Sequence, residues 1–203
     1  MKRPYLYLML HTLLRHILAP LLLDIKVEGK ENIPQPPFIM ASNHLNWCDP
    51  VLLACLTSQV VSFMGKADLF RNPLLTFFMR SLACFPVERG QPDRQALRES
   101  LEILGKGGIL GFFPEGTRSR TGNLGSFESG AAYLALKAGV PILPVGITGT
   151  YKVGILSFFI PKKHKFRIRI GPLLNGAKGT SFKKEVERLT LELEQAIRGL
   201  ITD

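Results

Sequence analysis

Cysteine is scarce in this chain of 203 residues. The three cysteines, Cys48, Cys55 and Cys84, are odd in number and show no CxxC spacing. This pattern indicates neither a disulfide framework nor a zinc site, and a reducing compartment fits it best. Cys48 lies close in sequence to His44 and could act as a nucleophile, but we favour a role as a small apolar packing residue.

Several catalytic signatures are missing as well. The sequence contains no G-x-S-x-G nucleophile elbow and no HExxH zinc motif, and we expect no metal site. It also lacks internal repeats, low-complexity tracts and any linker long enough to divide it. With 46% hydrophobic and 21% charged residues, the chain has the composition of one folded domain with a sizeable core.

No stretch of about 20 residues is both apolar and free of charge, as a membrane-spanning helix requires. Residues 5–23 are apolar, but Arg15 interrupts them and Pro20 breaks their end. The same interruptions argue against a secretory signal. Leucines recur at helical spacing beside basic residues here, which predicts a helix lying in the membrane interface. An ordinary core helix is the alternative.

Acidic residues are outnumbered by basic ones. The chain has 16 Asp and Glu against 26 Lys and Arg, for a net charge of +10. This excess favours an anionic partner, which could be nucleic acid, an anionic membrane surface or a phosphorylated substrate. The basic residues are spread along the chain and no nucleic-acid-binding motif appears, so we expect no nucleic acid partner.

Apolar runs of strand length alternate with helical patterns from residue 24 onward. The predicted strands lie near residues 24–29, 38–42, 60–64, 82–87, 109–113, 140–147 and 166–170, and the predicted helices near 50–56, 72–80, 93–105, 131–138 and 186–200. This order predicts a single α/β domain over residues 25–203, with a largely parallel central sheet covered by helices. Residues 1–24 form the predicted membrane-associating segment.

The stretch SNHLNWCDP at residues 42–50 places His44 in a loop between a predicted strand and a predicted helix. Asp49 followed by Pro50 predicts a helix N-cap. A carboxylate close to a histidine can also fix the tautomer of the imidazole, which is the arrangement of a general base. A plain helix cap and a turn residue without a chemical role are the alternative interpretation.

A second informative stretch, FPEGTRS, occupies residues 113–119. Gly116 allows a ligand to approach the backbone closely, and Thr117 adds a hydroxyl donor. The planar guanidinium of Arg118 suits phosphate, while Glu115 could orient that arginine or hold a substrate hydroxyl. A solvated ion pair within the loop is the alternative.

Polar groups follow several predicted strands directly. They are His44, Lys66, Arg89 and the loop over residues 113–119. Because ligands bind beyond the carboxyl ends of parallel strands, we expect these groups to converge at one edge of the sheet.

The combination of H-x4-D with FPEGTRS about seventy residues later closely resembles the glycerolipid acyltransferase family, whose best-known members are the 1-acylglycerol-3-phosphate acyltransferases. GKADLF at residues 65–70, VERG at 87–90 and VPILPV at 140–145 resemble the family's lysine-bearing, arginine and proline-containing blocks. Together these blocks extend from residue 42 to about residue 147, and their order and spacing make the resemblance specific.

The resemblance implies acyl transfer from an acyl-CoA or acyl-carrier-protein thioester to the sn-2 hydroxyl of lysophosphatidic acid, giving phosphatidic acid, without a bound cofactor. Another lysophospholipid acceptor is the alternative. His44 would be the general base, Asp49 would orient it, and Lys66 would help to stabilise the oxyanion. The residues implied to bind the glycerol phosphate are Arg89, Glu115, Gly116, Thr117 and Arg118.

The resemblance also implies a peripheral or monotopic enzyme at the cytoplasmic face of the cell membrane. Residues 5–23 and the basic surface would then contact anionic lipid. A metal-dependent phosphohydrolase, in which His44, Asp49 and Glu115 bind a cation, is a second and weaker hypothesis.

Overall fold

The structure is a computed structural model, and it describes residues 9, 12–13, 24–88, 90, 93–154, 160, 164–177 and 181–202. The predicted interfacial helix over residues 5–23 lies almost entirely outside these residues and stays a prediction. None of the helices in the described ranges is long and apolar enough to span a bilayer.

Strands and helices alternate along the chain in the predicted order. The strands are β1 (Asp24–Glu28), β2 (Phe38–Ser42), β3 (Val61–Lys66), β4 (Cys84–Val87), β5 (Ile109–Phe112), β6 (Ile142–Thr148) and β7 (Lys165–Ile170). The α-helices are α1 (Asp49–Ala54), α2 (Pro73–Ser81), α3 (Arg94–Gly105), α4 (Gly130–Ala138) and α5 (Phe182–Ile201). Two 3-10 turns, Lys30–Asn32 and Ala67–Phe70, complete the described elements.

The seven strands form one sheet in the order β1-β7-β6-β2-β5-β3-β4. The five strands from β6 to β4 are parallel to one another. β7 is antiparallel to β6, and β1 is parallel to β7, so these two strands run opposite to the other five. The predicted α/β fold with a largely parallel sheet is therefore confirmed.

Strand β2 lies at the centre of the sheet and is buried on both faces. Phe38 and Met40 pack on one face in a cluster that includes Leu53 of α1. Ile39 and Ala41 point to the other face, where they join a cluster formed with α3, α4 and α5. A strand covered on both faces has few polar residues, which explains the uninterrupted apolar run that predicted it.

The connections after β2 and β5 leave the sheet on opposite faces. These strands are neighbours, with Ala41 paired to Phe112, yet α1 and α4 pack on different sides. In open α/β sheets a reversal of this kind marks where the ligand crevice lies, beyond the carboxyl ends of the strands. The loop over residues 43–48 and the loop that begins at residue 113 border this crevice.

Gly111 in β5 leaves room for an aromatic side chain that supports the crevice. A Cβ atom at this position would lie 2.1 Å from the ring of Phe63 on β3. The Phe63 ring in turn stacks on Phe113, with ring centroids 6.0 Å apart. Packing of the Phe63 ring between these strands therefore requires glycine at position 111.

Replacing Gly111 by Ala is expected to lower the free energy of unfolding by about 1–3 kcal/mol, because the new methyl group collides with a buried ring. Gly199→Ala is the matched control, since a Cβ there meets nothing within 4 Å. That control should raise the unfolding free energy by up to about 1 kcal/mol through helix propensity. Urea denaturation of both variants measures the difference, and equal stabilities would contradict the packing argument.

Candidate active site

His44 and Asp49 meet in the crevice through a direct hydrogen bond. The Nδ1 atom of His44 lies 2.9 Å from Oδ2 of Asp49. His44 is 9% exposed and Asp49 is fully buried. Because a carboxylate can only accept, Nδ1 carries the proton, and a neutral imidazole then presents its lone pair on Nε2.

Asp49 binds the loop before its helix rather than the helix itself. Its Oδ2 atom also accepts the backbone N–H groups of Leu45 at 2.7 Å and Asn46 at 2.6 Å. Asp49 is the first residue of α1, and Cys48 occupies the N-cap position. The prediction that Asp49 is the N-cap is therefore wrong: the loop folds back over the carboxylate and its donors bind Oδ2, while the buried Oδ1 has no hydrogen-bond partner among the described residues.

Two asparagines beside His44 tie its loop to the end of β6. The side chain of Asn43 donates to the carbonyl of Ile147 at 2.9 Å and accepts the N–H of the same residue at 2.8 Å. The Nδ2 atom of Asn46 donates to the carbonyls of Thr150 and Val153. The sequence alone assigned no role to either asparagine. Buried amide side chains need hydrogen-bond partners, so two asparagines on either side of a histidine could have indicated contacts that hold its loop.

Glu115 holds the backbone of His44. Its Oε1 atom accepts the His44 N–H at 3.0 Å, and its Oε2 atom accepts the N–H of Gly125 at 3.3 Å. On the other side of the residue, the His44 carbonyl accepts the N–H of Ser119 at 2.8 Å. Burial raises the pKa of Glu115, and the two N–H groups counteract part of that rise.

The ring of Phe113 fixes the plane of the imidazole. The two rings are stacked with centroids 4.0 Å apart and an interplanar angle of 19°. Together with the Asp49 hydrogen bond, this contact limits the ring's translation and rotation. The orientation of Nε2 is thus determined by packing before any substrate binds.

The remaining predicted residues of the FPEGTRS loop lie on its open side. Gly116 adopts a left-handed backbone with φ of 66°, while Thr117 and Arg118 are exposed. Within the described ranges, the Arg118 guanidinium forms neither a hydrogen bond nor an ion pair. An exposed and unpaired guanidinium is suited to bind an anion. Binding of substrate by these residues stays a prediction.

Lys66 ends β3, two strands from β2, and its ammonium group forms an ion pair with Asp68. Arg89 lies outside the described residues. Their predicted roles at the oxyanion and the phosphate therefore stay predictions.

Cys48 is a buried packing residue. It is 2% exposed and belongs to the apolar cluster on the α1 face of the sheet. Burial raises the pKa of its thiol to about 12, so the thiolate that nucleophilic attack requires is not formed near neutral pH. The predicted apolar role of Cys48 is confirmed.

The three proposed metal ligands take part in hydrogen bonds within the protein. Asp49 uses Oδ2 for His44 and the preceding loop, although its Oδ1 has no partner among the described residues, and Glu115 uses both oxygens for backbone N–H groups. Across the described ranges, no group of three or more His, Cys, Asp or Glu side chains could hold a metal ion.

A surface groove of about 820 Å³ lies at the opposite end of the sheet. Its lining includes Val60 and Ser62 at the start of β3, Gly108 before β5, and Arg98 of α3. The described residues of the loops after β2, β5 and β6 are not among those that line it. The groove is thus separate from the site around His44.

Both the sequence and the structure of this chain match those of known proteins. The family model described as Acyltransferase matches residues 24–148, which include His44, Asp49 and the FPEGTRS loop. The 1-acyl-sn-glycerol-3-phosphate acyltransferase of Bacillus subtilis is 29% identical over 180 residues, which cover 87% of each chain. A crystal structure of the 1-acyl-sn-glycerophosphate acyltransferase PlsC from Thermotoga maritima matches with a TM-score of 0.73 and 29% identity, covering 98% of this chain and 80% of that one.

Plant relatives are more similar in sequence over a shorter region. The chloroplast 1-acyl-sn-glycerol-3-phosphate acyltransferase of Arabidopsis thaliana is 38% identical over 133 residues. The match covers 64% of this chain but 37% of that protein. The chain therefore spans less than two fifths of this plant relative.

Asn43→Ala is expected to lower the free energy of unfolding by about 2–4 kcal/mol, because it leaves a buried N–H and a buried carbonyl of Ile147 without partners. Asn175→Ala, at an exposed position, is the matched control and should change stability by less than about 0.5 kcal/mol. Thermal and urea denaturation measure both effects. A loss at position 43 no larger than the control's would contradict the proposed tie between the His44 loop and β6.

Proposed function

Because this chain belongs to the acyltransferase family, whose model spans residues 24–148, we propose that it is a 1-acyl-sn-glycerol-3-phosphate acyltransferase. It transfers a fatty acyl group from an acyl-CoA or acyl-carrier-protein thioester to the sn-2 hydroxyl of lysophosphatidic acid. The observation that carries the proposal is the hydrogen bond from Nδ1 of His44 to Asp49, which leaves Nε2 available as a base beside the FPEGTRS loop.

In the proposed reaction, Nε2 of His44 removes the proton from the acceptor hydroxyl as that oxygen attacks the thioester carbonyl. The buried carboxylate of Asp49 stabilises the imidazolium that forms. When the tetrahedral intermediate collapses, the carbon–sulfur bond breaks and the imidazolium returns its proton to the leaving thiolate. The products are the diacyl lipid and the free thiol, and His44 is neutral again.

No protein nucleophile takes part in this scheme. The cysteine closest to His44 in sequence, Cys48, is buried, and that burial raises the pKa of its thiol to about 12. The acceptor's own hydroxyl fills the position that a serine occupies in a Ser-His-Asp triad. Direct transfer therefore needs a well-oriented base, which the contacts of His44 with Asp49 and Phe113 supply.

We assign the acceptor's phosphate to the open side of the FPEGTRS loop. Arg118 is exposed there, and the backbone N–H of the adjacent Ser119 binds the carbonyl of His44. A phosphate held by Arg118 would thus be anchored to the same loop that anchors the base. Lys66 and Arg89 are further candidates for the oxyanion and the phosphate.

Glu115 acts in this proposal as a positioning residue. Both of its carboxylate oxygens accept backbone N–H groups, one of them from His44 itself. This use of the carboxylate leaves it less suited to bind a substrate hydroxyl than the sequence pattern alone suggests. We expect Glu115 to affect the reaction only by holding the imidazole of His44 in position.

We further propose that the enzyme works at the cytoplasmic face of the cell membrane as a peripheral or monotopic protein. The apolar residues 5–23 and the net charge of +10 support attachment to an anionic surface. Attachment of this kind suits an acceptor whose acyl tail resides in the bilayer.

His44→Ala and Asp49→Asn are expected to lower kcat by roughly 10²- to 10⁴-fold, because the first removes the base and the second removes the charge that stabilises the imidazolium. The assay uses the purified full chain, a panel of lysophospholipid acceptors and both donor types, with the product identified by mass spectrometry. Circular dichroism checks that each variant is folded. Near-normal turnover by folded His44→Ala would overturn the mechanism, and a preference for another lysophospholipid would reassign the acceptor.

Glu115→Gln is expected to lower kcat by roughly 10- to 100-fold with little change in the acceptor KM, because a small displacement of a catalytic group is costly. The amide can still accept one N–H, so Glu115→Ala should be slower still. Arg118→Ala is the comparison variant, and it should mainly raise the acceptor KM. A rise in KM at unchanged kcat for Glu115→Gln would instead identify Glu115 as a substrate ligand.

A further inference from the structure

Helix α2 turns an apolar face towards solvent. Leu74, Phe77 and Phe78 are spaced i, i+3, i+4 and so share one side of the helix. Their exposed fractions are 79%, 63% and 52%. In a water-soluble domain an apolar stripe with this spacing normally faces the core. Here it lies on the outside.

The opposite side of α2 is the one that packs on the protein. A Cβ atom placed on Gly65 of β3 would lie 3.1 Å from the terminal methyl of Met79, so α2 rests directly on that strand. The hydroxyl of Thr76 donates to the carbonyl of Phe70 at 2.8 Å and fixes the helix to the preceding 3-10 turn. The outward direction of the apolar face is therefore set by these contacts.

Basic residues flank this face at both ends. Arg71 precedes α2 and forms an ion pair with Asp68 at 3.0 Å, Arg80 lies in the last turn of the helix, and the helix itself contains no carboxylate. From residue 66 to residue 81 the chain has three basic side chains and a single acidic one, Asp68. The segment thus combines exposed aromatic and leucine side chains with a net positive charge. That combination is complementary to the interface of an anionic bilayer.

The apolar face also lies at the edge of the sheet that carries the site. The segment begins at the carboxyl end of β3, and β3 pairs with β5, whose following loop holds the backbone of His44. Gly65 alternates with Val61 and Phe63, whose side chains pack on the same face of the sheet as α1. Helix α2 therefore packs on the same face of the sheet as α1, and the segment that leads into it leaves the sheet at the same edge as the His44 loop.

We propose that this α2 surface, formed by Leu74, Phe77 and Phe78 with Arg71 and Arg80 and extended by the exposed Leu69 of the preceding 3-10 turn, inserts into the interface of an anionic membrane. The apolar side chains enter the acyl region, and the guanidinium groups bind lipid phosphates. The inference rests on the proposed function, because a lipid-tailed acceptor then passes from the bilayer to His44 without its tail crossing water. The surface acts in addition to any anchor within residues 5–23.

Binding to vesicles tests the surface directly. In the full chain, the double variant Leu74→Ser/Phe77→Ser should bind vesicles of equimolar phosphatidylcholine and phosphatidylglycerol about tenfold more weakly or worse than the unmodified chain. Leu191→Ser is the matched control, because Leu191 is 61% exposed on α5, which packs on the other face of the sheet. Equal affinities for the double variant and this control would overturn the proposal.

A fluorescence measurement identifies what covers the surface. Tryptophan introduced as Phe77→Trp should be quenched by vesicles of brominated lipid, whereas Leu191→Trp should show only the quenching of the natural Trp47. If the new tryptophan is already shielded without vesicles and brominated lipid does not quench it, the occupant is residues 5–23 or a second copy of the chain. That result would overturn insertion into the bilayer.

Activity measurements separate this proposal from the proposed function. The double variant should retain acyl transfer to a short-chain lysophosphatidate dissolved as monomers and lose it with a long-chain acceptor embedded in vesicles. Equal losses with both acceptors would overturn the role in acceptor entry. Failure of the unmodified chain to acylate either acceptor would overturn the proposed function. The vesicle experiments would still show whether the α2 surface binds the membrane.

Discussion

One buried carboxylate oxygen, Oδ2 of Asp49, determines both the shape of the reactive loop and the chemistry it carries. It accepts the imidazole N–H of His44 and the backbone N–H groups of Leu45 and Asn46. A buried carboxylate is costly unless hydrogen bonds compensate for lost water, and here the donors come from the loop that the carboxylate organises. The conformation of the loop and the tautomer of the base therefore depend on the same atom.

The rest of the site extends this constraint across three loops at one edge of the sheet. Glu115 and Ser119 bind the two backbone groups of His44, and Asn43 ties the same loop to β6. Phe113 adds a flat apolar support for the imidazole. A base held in this way needs little reorganisation during a reaction, which is how preorganised sites lower barriers. Arg118 remains exposed on the loop that fixes the base.

Much of the fold was predictable because its signals are local. The apolar run at residues 38–42 predicted a strand, which is buried, and Asn72 and Asp93, residue types that favour N-cap positions, cap α2 and α3 with their side chains. The capping prediction for Asp49 failed although its sequence pattern is as good. A carboxylate at the start of a helix can accept N–H groups on either side, and the path of the preceding loop decides which.

The sequence by itself determined the alternation of strands and helices, the pairing of His44 with Asp49 five residues later, and the family to which the FPEGTRS loop points. Only the tertiary structure decided that Glu115 holds a backbone N–H 71 positions away, that Asn43 pairs with Ile147, and that the apolar face of α2 is turned outward. The physical reason is that sequence patterns report only on residues close together in the chain. Periodicity reports which side chains share a face of an element, whereas the group opposite that face is set by packing between segments distant in the chain.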